Sequence, residues 1–150
     1  MYKKILVPTD GSEMCNKAVV EAAQLAKSLG ASLLVMHVRS PIDVPHHVEG
    51  GALSRLGESK VMEEIEVEER GLLDAAVELS AANGVTAQAA FVAGYQPHEA
   101  IIRVSREQHC DLIVMASHTR HGLPRVLIGG ETQKVLSHTS TPVLVIKQKE

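Results

Sequence analysis

The sequence has no tryptophan, one phenylalanine and two tyrosines among its 150 residues. That scarcity removes the stacking platforms on which single-stranded nucleic-acid modules rely, and it points to a core of aliphatic helix and sheet layers. Cysteine is also scarce: Cys15 and Cys110 form neither a CxxC pair nor a zinc pattern. In a parallel α/β sheet they fall near opposite ends of their strands, about 20 Å apart and beyond disulfide reach. Both therefore read as ordinary small residues of a reducing compartment. No apolar run approaches the ~18 residues of a membrane span, and the opening Met-Tyr-Lys-Lys leads into a strand without a secretory apolar core. The expectation is a soluble, cytoplasmic protein with no membrane partner. A net charge of −3, with little basic clustering beyond Arg120 and Arg125, argues equally against nucleic acid as a partner.

Several chemistries are missing as well. No GxGxxG follows the first strand and no GxxxxGK[ST] occurs anywhere, which disfavours dinucleotide-type and P-loop phosphate binding. The third strand ends Val92-Ala93-Gly94, without the acidic residue a phosphoacceptor receiver would need there. Eight histidines are present but scattered, and His118-x-x-His121 has no companion cysteine or carboxylate set, so no structural metal is expected. Ser12 and Ser117 lack the surroundings of an activated serine and read as a helix cap and a strand-end residue. No catalytic residue is assigned.

What is present is a regular alternation of short apolar runs and helical patterns. With 45% hydrophobic residues in 150, the chain is long enough for one core, and residues 1–150 are expected to form one domain. Ile5-Leu-Val-Pro-Thr-Asp10 reads as a first strand. Ala18, Val19, Ala22, Leu25, Ala26 and Leu29 then recur at helical spacing, with Ser12 as N-cap and Gly30 as stop. Residues 32–38 make a second strand buried on both faces. Residues 39–57, with Pro41, Pro45, His46, His47, Gly50 and Gly51, read as a long loop. The spacing of Met62, Ile65, Leu72, Ala76 and Leu79 predicts a helix over 58–82. Glu63, Glu64, Glu66, Glu68 and Glu69 supply its solvated acidic face. Strands over 85–92, 111–117 and 142–147 and helices over 97–108 and 129–138 complete the series. Such alternation implies right-handed crossovers and a largely parallel sheet.

In such sheets the ligand sits beyond the carboxyl ends of the strands, where strand order reverses. Asp10, Val38 and the segment after Ser117 all fall on that rim. Asp10 suits either an adenine amine or ribose hydroxyl, or an Asx turn feeding the helix. The stretch Asp111-Leu-Ile-Val-Met-Ala-Ser117, then His118-Thr-Arg-His-Gly-Leu-Pro-Arg125, then Gly129-Gly-Glu-Thr-Gln-Lys134, joins a strand, a basic segment and a glycine-led helix start. Backbone N–H groups, a helix dipole and cationic side chains at one point are a recipe for holding phosphate.

These residues resemble the universal stress protein family. Lys-Lys-Ile-Leu-Val-Pro-Thr-Asp10-Gly-Ser, Asp111-Leu-Ile-Val-Met-Ala-Ser-His118, Glu131-Thr-Gln-Lys-Val-Leu136 and Thr141-Pro-Val-Leu-Val-Ile146 are similar to its landmarks, in order and over nearly the whole chain. The resemblance implies a five-stranded parallel sheet with helices on both faces, Rossmann-like, and a cytoplasmic stress-response module. It also implies a homodimer made by the last strand through Val143, Leu144, Val145 and Ile146, agreeing with that strand's short apolar sequence at an otherwise open edge. The ligand implied is AMP, or ATP with magnesium. The positions implied for it are Pro8, Thr9, Asp10 and Val38 on the adenosine side, Met115, Ala116, His118, Thr119 and Arg120 after the fourth strand, and Gly129, Gly130 and Glu131 at the helix start.

The family separates ATP-binding from non-binding members by Gly-x2-Gly-x9-Gly-Ser/Thr. Laid on this chain, the positions are Ala116, Thr119, Gly129 and Gly130, and only Gly129 matches. Thr119 puts a β-branched residue where glycine allows close approach. Gly130 lacks a hydroxyl whose bond to a phosphate is worth ~1.5–3 kcal/mol, roughly tenfold to a hundredfold in affinity. His118, Arg120 and Arg125 add donors and positive charge that offset part of this. Three readings follow. One is an adenine-nucleotide-binding module that signals to an unidentified protein partner. Another is a nucleotide-independent interaction protein, and the third is a slow ATP hydrolase.

Overall fold

In the computed structural model, which describes residues 1–40, 52–117 and 128–147, the apolar runs alternate between two layers. Ile5, Val7, Leu33, Val35, Leu112 and Val114 face one side and Leu6, Leu34, Met36, Ile113 and Met115 the other. They belong to β1 (Lys4–Pro8), β2 (Ser32–Arg39) and β4 (Leu112–Ala116); β3 (Ala87–Ala93) and β5 (Val143–Ile146) flank them. All pairings are parallel, in the order β3-β2-β1-β4-β5. α1 (Glu13–Leu29) and α2 (Ala52–Ala82) cover the first layer, and α3 (Pro97–Glu107) and α4 (Gly130–His138) cover the second. The three inner strands are thus buried on both faces, as their unbroken hydrophobicity predicts. Each fully buried Ile, Leu or Val side chain stabilises the fold by about 1.5–3 kcal/mol.

Local signals place the connections. Ser12 accepts a hydrogen bond from the Cys15 N–H at 3.3 Å and caps α1, which ends at Gly30 in the left-handed region with φ 65°. The buried face of α1, Ala18, Val19, Ala22, Ala23 and Ala26, is mostly alanine, so the helix lies close on the sheet. Gly11 turns the chain from β1 into α1 at φ 78°, and a Cβ there would run into the Leu72 side chain of α2. Glycine is therefore required at that turn.

α2 departs from expectation at its start. It begins at Ala52, inside the segment expected to be loop, while residues 41–51 lie outside the described ones. The reason is visible in its exposure: no residue from 56 to 71 is buried, and Leu56, Val61 and Val67 stand out at 64%, 53% and 71% exposure. The described residues before Met62, 56–61, are all exposed, so no apolar stripe marks the helix there. Further along, the fully covered positions are Leu73, Ala76 and Ser80, with Leu72 and Leu79 half-buried beside them.

β1 and β4 share a short register, Ile5 with Leu112 and Leu6 with Ile113. It is secured at the amino ends by Asp111, whose carboxylate accepts the Lys3 N–H at 2.8 Å and the Lys4 N–H at 3.0 Å, while its own N–H donates to the Lys4 carbonyl at 3.0 Å. Desolvation pushes the Asp111 carboxyl up, but the N–H bonds of Lys4, Lys3 and Asp111 itself outweigh it and hold the group below its ordinary value. A carboxyl lowered in the native state contributes stability above its unfolded value of about 3.9, and loses it as pH falls through the lower native value. Asp111→Ala should therefore cost about 1 kcal/mol at pH 7, or about 2–4 °C in Tm. In melts followed by circular dichroism the gap between the two proteins should close below about pH 4. A gap independent of pH would contradict the carboxylate's role.

Candidate functional site

Strand order reverses between β1 and β4, because the chain goes outward through β2 and β3 and then returns across β1. At the carboxyl ends of these strands lies a cavity of about 460 Å³. Pro8, Thr9 and Asp10 line it from β1, Val38 from β2, Met115 and Ala116 from β4, and Gly129, Gly130 and Glu131 from the start of α4. Every described position that the sequence implicated is thus brought to one cavity. His118, Thr119 and Arg120, with Arg125, lie outside the described residues. A larger hollow of about 720 Å³ at the far ends of α1 and α2, around Lys27, Asn83 and Gly84, sits away from the switch point. Position at the reversal of strand order, not volume, identifies the cleft as the candidate site.

Its walls also hold residues that the sequence reading left out: Cys15, His37, Ser40, Pro97, Ile101 and Thr132. Pro97 and Ile101 arrive because α3 crosses the sheet from the edge strand β3 back to β4, which brings its first turn onto the rim. Strand order would have revealed them, but spacing alone does not supply strand order. Thr132 is legible in retrospect as a third-position residue of α4, and its hydroxyl donates to the Ala116 carbonyl at 3.1 Å. Ser117 accepts the Gly129 N–H at 3.2 Å. Together these two bonds tie the end of β4 to the start of α4.

The adenosine-side positions are held by polar contacts. The Asp10 carboxylate accepts the Ser12 N–H at 2.8 Å, so it forms the Asx turn while also lining the cavity. Thr9 donates its N–H to Met36 at 2.8 Å, and its carbonyl faces His37 Nδ1 at 2.8 Å. A carbonyl only accepts, so Nδ1 carries a proton. His37 Nε2 then lies 3.5 Å from Glu69, whose other oxygen is 3.6 Å from Arg39 Nε. Glu69, expected on a solvated face, is only 18% exposed and braces the end of β2 from α2. Burial pushes the Cys15 thiol up to about 11, and the neighbouring Asp10 carboxylate adds to this against opposing bonds from Ser12 and the Asp10 backbone. At neutral pH the thiol stays protonated and forms wall, not nucleophile.

The phosphate-facing end is a helix start. Gly129 offers no side-chain cap to the first turn of α4, and Gln96 offers none to α3. Glu131 reaches across instead and accepts the His98 N–H of α3 at 3.1 Å, while Lys134 donates to its other oxygen at 3.0 Å. Desolvation raises the Glu131 carboxyl, but Lys134 and His98 outweigh it and lower the group from its ordinary value. The cleft therefore combines apolar walls (Val38, Ile101, Met115), the Asp10 and Glu131 carboxylates, and the helix-start amides of α4. This arrangement suits a flat polar ring joined to an anion. Among the described residues no cluster of His, Cys, Asp and Glu is placed to hold a metal ion, and no helix is long and apolar enough to cross a membrane.

Comparison with known proteins agrees with this geometry at the level of fold. Universal stress protein MJ0577 of Methanocaldococcus jannaschii is 29% identical over 158 residues, covering 99% of this chain and 97% of its own. Universal stress protein YxiE of Bacillus subtilis is 31% identical, covering 98% and 100%. The solved structure of protein MJ0577 matches with a TM-score of 0.78 at 27% identity over 100% and 99% of the two chains. A universal stress protein solved in complex with cAMP gives 0.68 at 23% identity over 97% and 96%. One from Archaeoglobus fulgidus in complex with dAMP gives 0.69 at 20% identity over 97% and 98%. The sequence profile of the universal stress protein family matches residues 1–147, and with the five-stranded parallel sheet this establishes that the chain belongs to the universal stress protein family.

Proposed function

We propose that the chain binds an adenine nucleotide in the cleft between β1 and β4 and passes its occupancy to a protein partner as a homodimer. The observation that carries this reading is the convergence on one 460 Å³ cavity of Asp10 and Val38 from β1 and β2 with Gly129 and Gly130 from the start of α4. Adenine nucleotides bound to two relatives of the same fold, cAMP and dAMP, support it. The base would lie between Val38 and Met115, with Asp10 accepting from its amine or from a ribose hydroxyl. A phosphate would meet the first turn of α4. The role is one of binding, since the buried thiol is neutral and the Asp10 carboxylate is engaged in a turn.

Calorimetric titration with AMP should give micromolar binding that weakens by roughly tenfold or more in Asp10→Ala, from loss of a charge-assisted hydrogen bond. The missing hydroxyl has room among the described residues, where a Cβ at Gly130 meets nothing within 4 Å. Gly130→Ser should therefore tighten AMP by about tenfold. If neither the natural protein nor Gly130→Ser binds, the nucleotide-independent interaction protein is the better reading.

Dimerisation through β5 rests on its edge position and on backbone direction. The Pro142 and Ile146 carbonyls accept from Ile113 of β4 and from Ser117 just beyond it, so the period-2 alternation turns the backbone groups of Val143 and Val145 outward. Leu144 is 40% exposed at this edge. Light scattering at micromolar concentration should give a dimeric mass for the natural protein. Val145→Pro, which removes an outward N–H and leaves the β4 pairing intact, should give a monomeric one. A monomer in both cases would overturn the interface.

A further inference from the structure

We propose that Glu131 is the charge filter of this cleft, a specificity-determining carboxylate that favours an adenine ligand with one phosphate over one with three. The inference rests on the nucleotide reading above and deepens it. Glu131 stands in the first turn of α4, on the wall where a phosphate would meet the helix amides. Its carboxylate is fixed at both oxygens, one on the His98 N–H at 3.1 Å and the other on Lys134 Nζ at 3.0 Å. It therefore cannot swing aside without breaking one of these bonds.

Two helix starts converge here, and Glu131 decides what each can still accept. Gln96 leaves the first turn of α3 without a side-chain cap, and Glu131 fills that place. The anion-friendly start of α3 is already occupied by a charge of the protein itself, so of these two helix starts the one of α4 remains for a ligand. Behind the carboxylate, His98 Nδ1 lies 3.4 Å from Oε2 on a side chain only 9% exposed, and among the described residues it makes no hydrogen bond. Lys134 offsets part of the charge, but at 53% exposure it is screened by water.

A single phosphate finds amides on α4 that repay the nearby negative charge, whereas each further phosphate adds charge against the same fixed carboxylate. Two unit charges about 6 Å apart cost about threefold in affinity at the dielectric of water and about a hundredfold at that of a protein surface. Asp10 lines the cavity from β1, where its carboxylate is engaged by the Ser12 N–H.

The test is a magnesium-free calorimetric titration of the natural protein, Glu131→Gln and Lys134→Gln with adenosine, AMP and ATP. Glu131→Gln keeps an oxygen for the His98 N–H and removes the charge. The natural protein should prefer AMP to ATP by about tenfold, and Glu131→Gln should bring the two close to equal; the ratio is read within each protein, so a general loss of affinity does not imitate the effect. Lys134→Gln, which removes the counter-charge, should widen the preference by about threefold. Adenosine binding with an unchanged AMP-to-ATP ratio in both variants would overturn the filter alone. Silence of all three ligands in all three proteins would overturn the nucleotide reading and the filter with it.

Discussion

β1 is hydrogen-bonded on both sides, to β2 and to β4, and its side chains Ile5, Leu6 and Val7 are fully buried in the two layers. Because the chain places β2 and β3 on one side of it and β4 and β5 on the other, no crossover helix covers the carboxyl end of the β1–β4 seam. The cleft is the consequence. A one-residue slip of β1 against β4 would exchange the two layers and turn the rim residues away, so the register is a functional constraint as much as a structural one. Asp111 secures it at the amino end, and the ties from Ser117 and Thr132 to α4 secure the carboxyl end.

Carboxylates do different work at the two ends of this seam. Asp111 is held by backbone N–H groups that favour its ionised form and bind two strands together. Asp10 and Glu131 border the cavity, each bonded to a backbone N–H beside a helix start: Ser12 before α1 and His98 in α3. The same interactions that stabilise helix starts therefore set the electrostatics that a ligand meets. The caps themselves, Ser12 and Gly129, are neutral, and the negative charge at the cleft comes from the neighbouring Asp10 and Glu131.

Most of the architecture was legible because strands buried on two faces and amphipathic helices write strong patterns. The caps Ser12 and Gly30 fell where the sequence placed them, and the strands agreed to within a few residues. The misses have physical causes. Before Met62 the described part of α2, residues 56–61, is wholly exposed and shows no apolar stripe. Glu69 looked like one of five solvated glutamates until the end of β2 supplied His37 and Arg39 as its partners. Cys15, Pro97, Ile101 and Thr132 reach the cleft through strand order and crossover paths, which local spacing does not encode. Glu131 was legible as a helix-start residue, but its bond to His98 joins positions far apart in the chain.

The most direct measurement is a ¹H–¹⁵N correlation spectrum of the protein titrated with AMP, with the backbone assigned. Saturable shifts confined to the amides of Thr9, Asp10, Val38, Gly129, Gly130 and their neighbours are expected if the nucleotide occupies the switch-point cleft. Shifts gathered instead around Lys27, Asn83 and Gly84 at the opposite end, or none at millimolar AMP, would contradict nucleotide binding between β1 and β4.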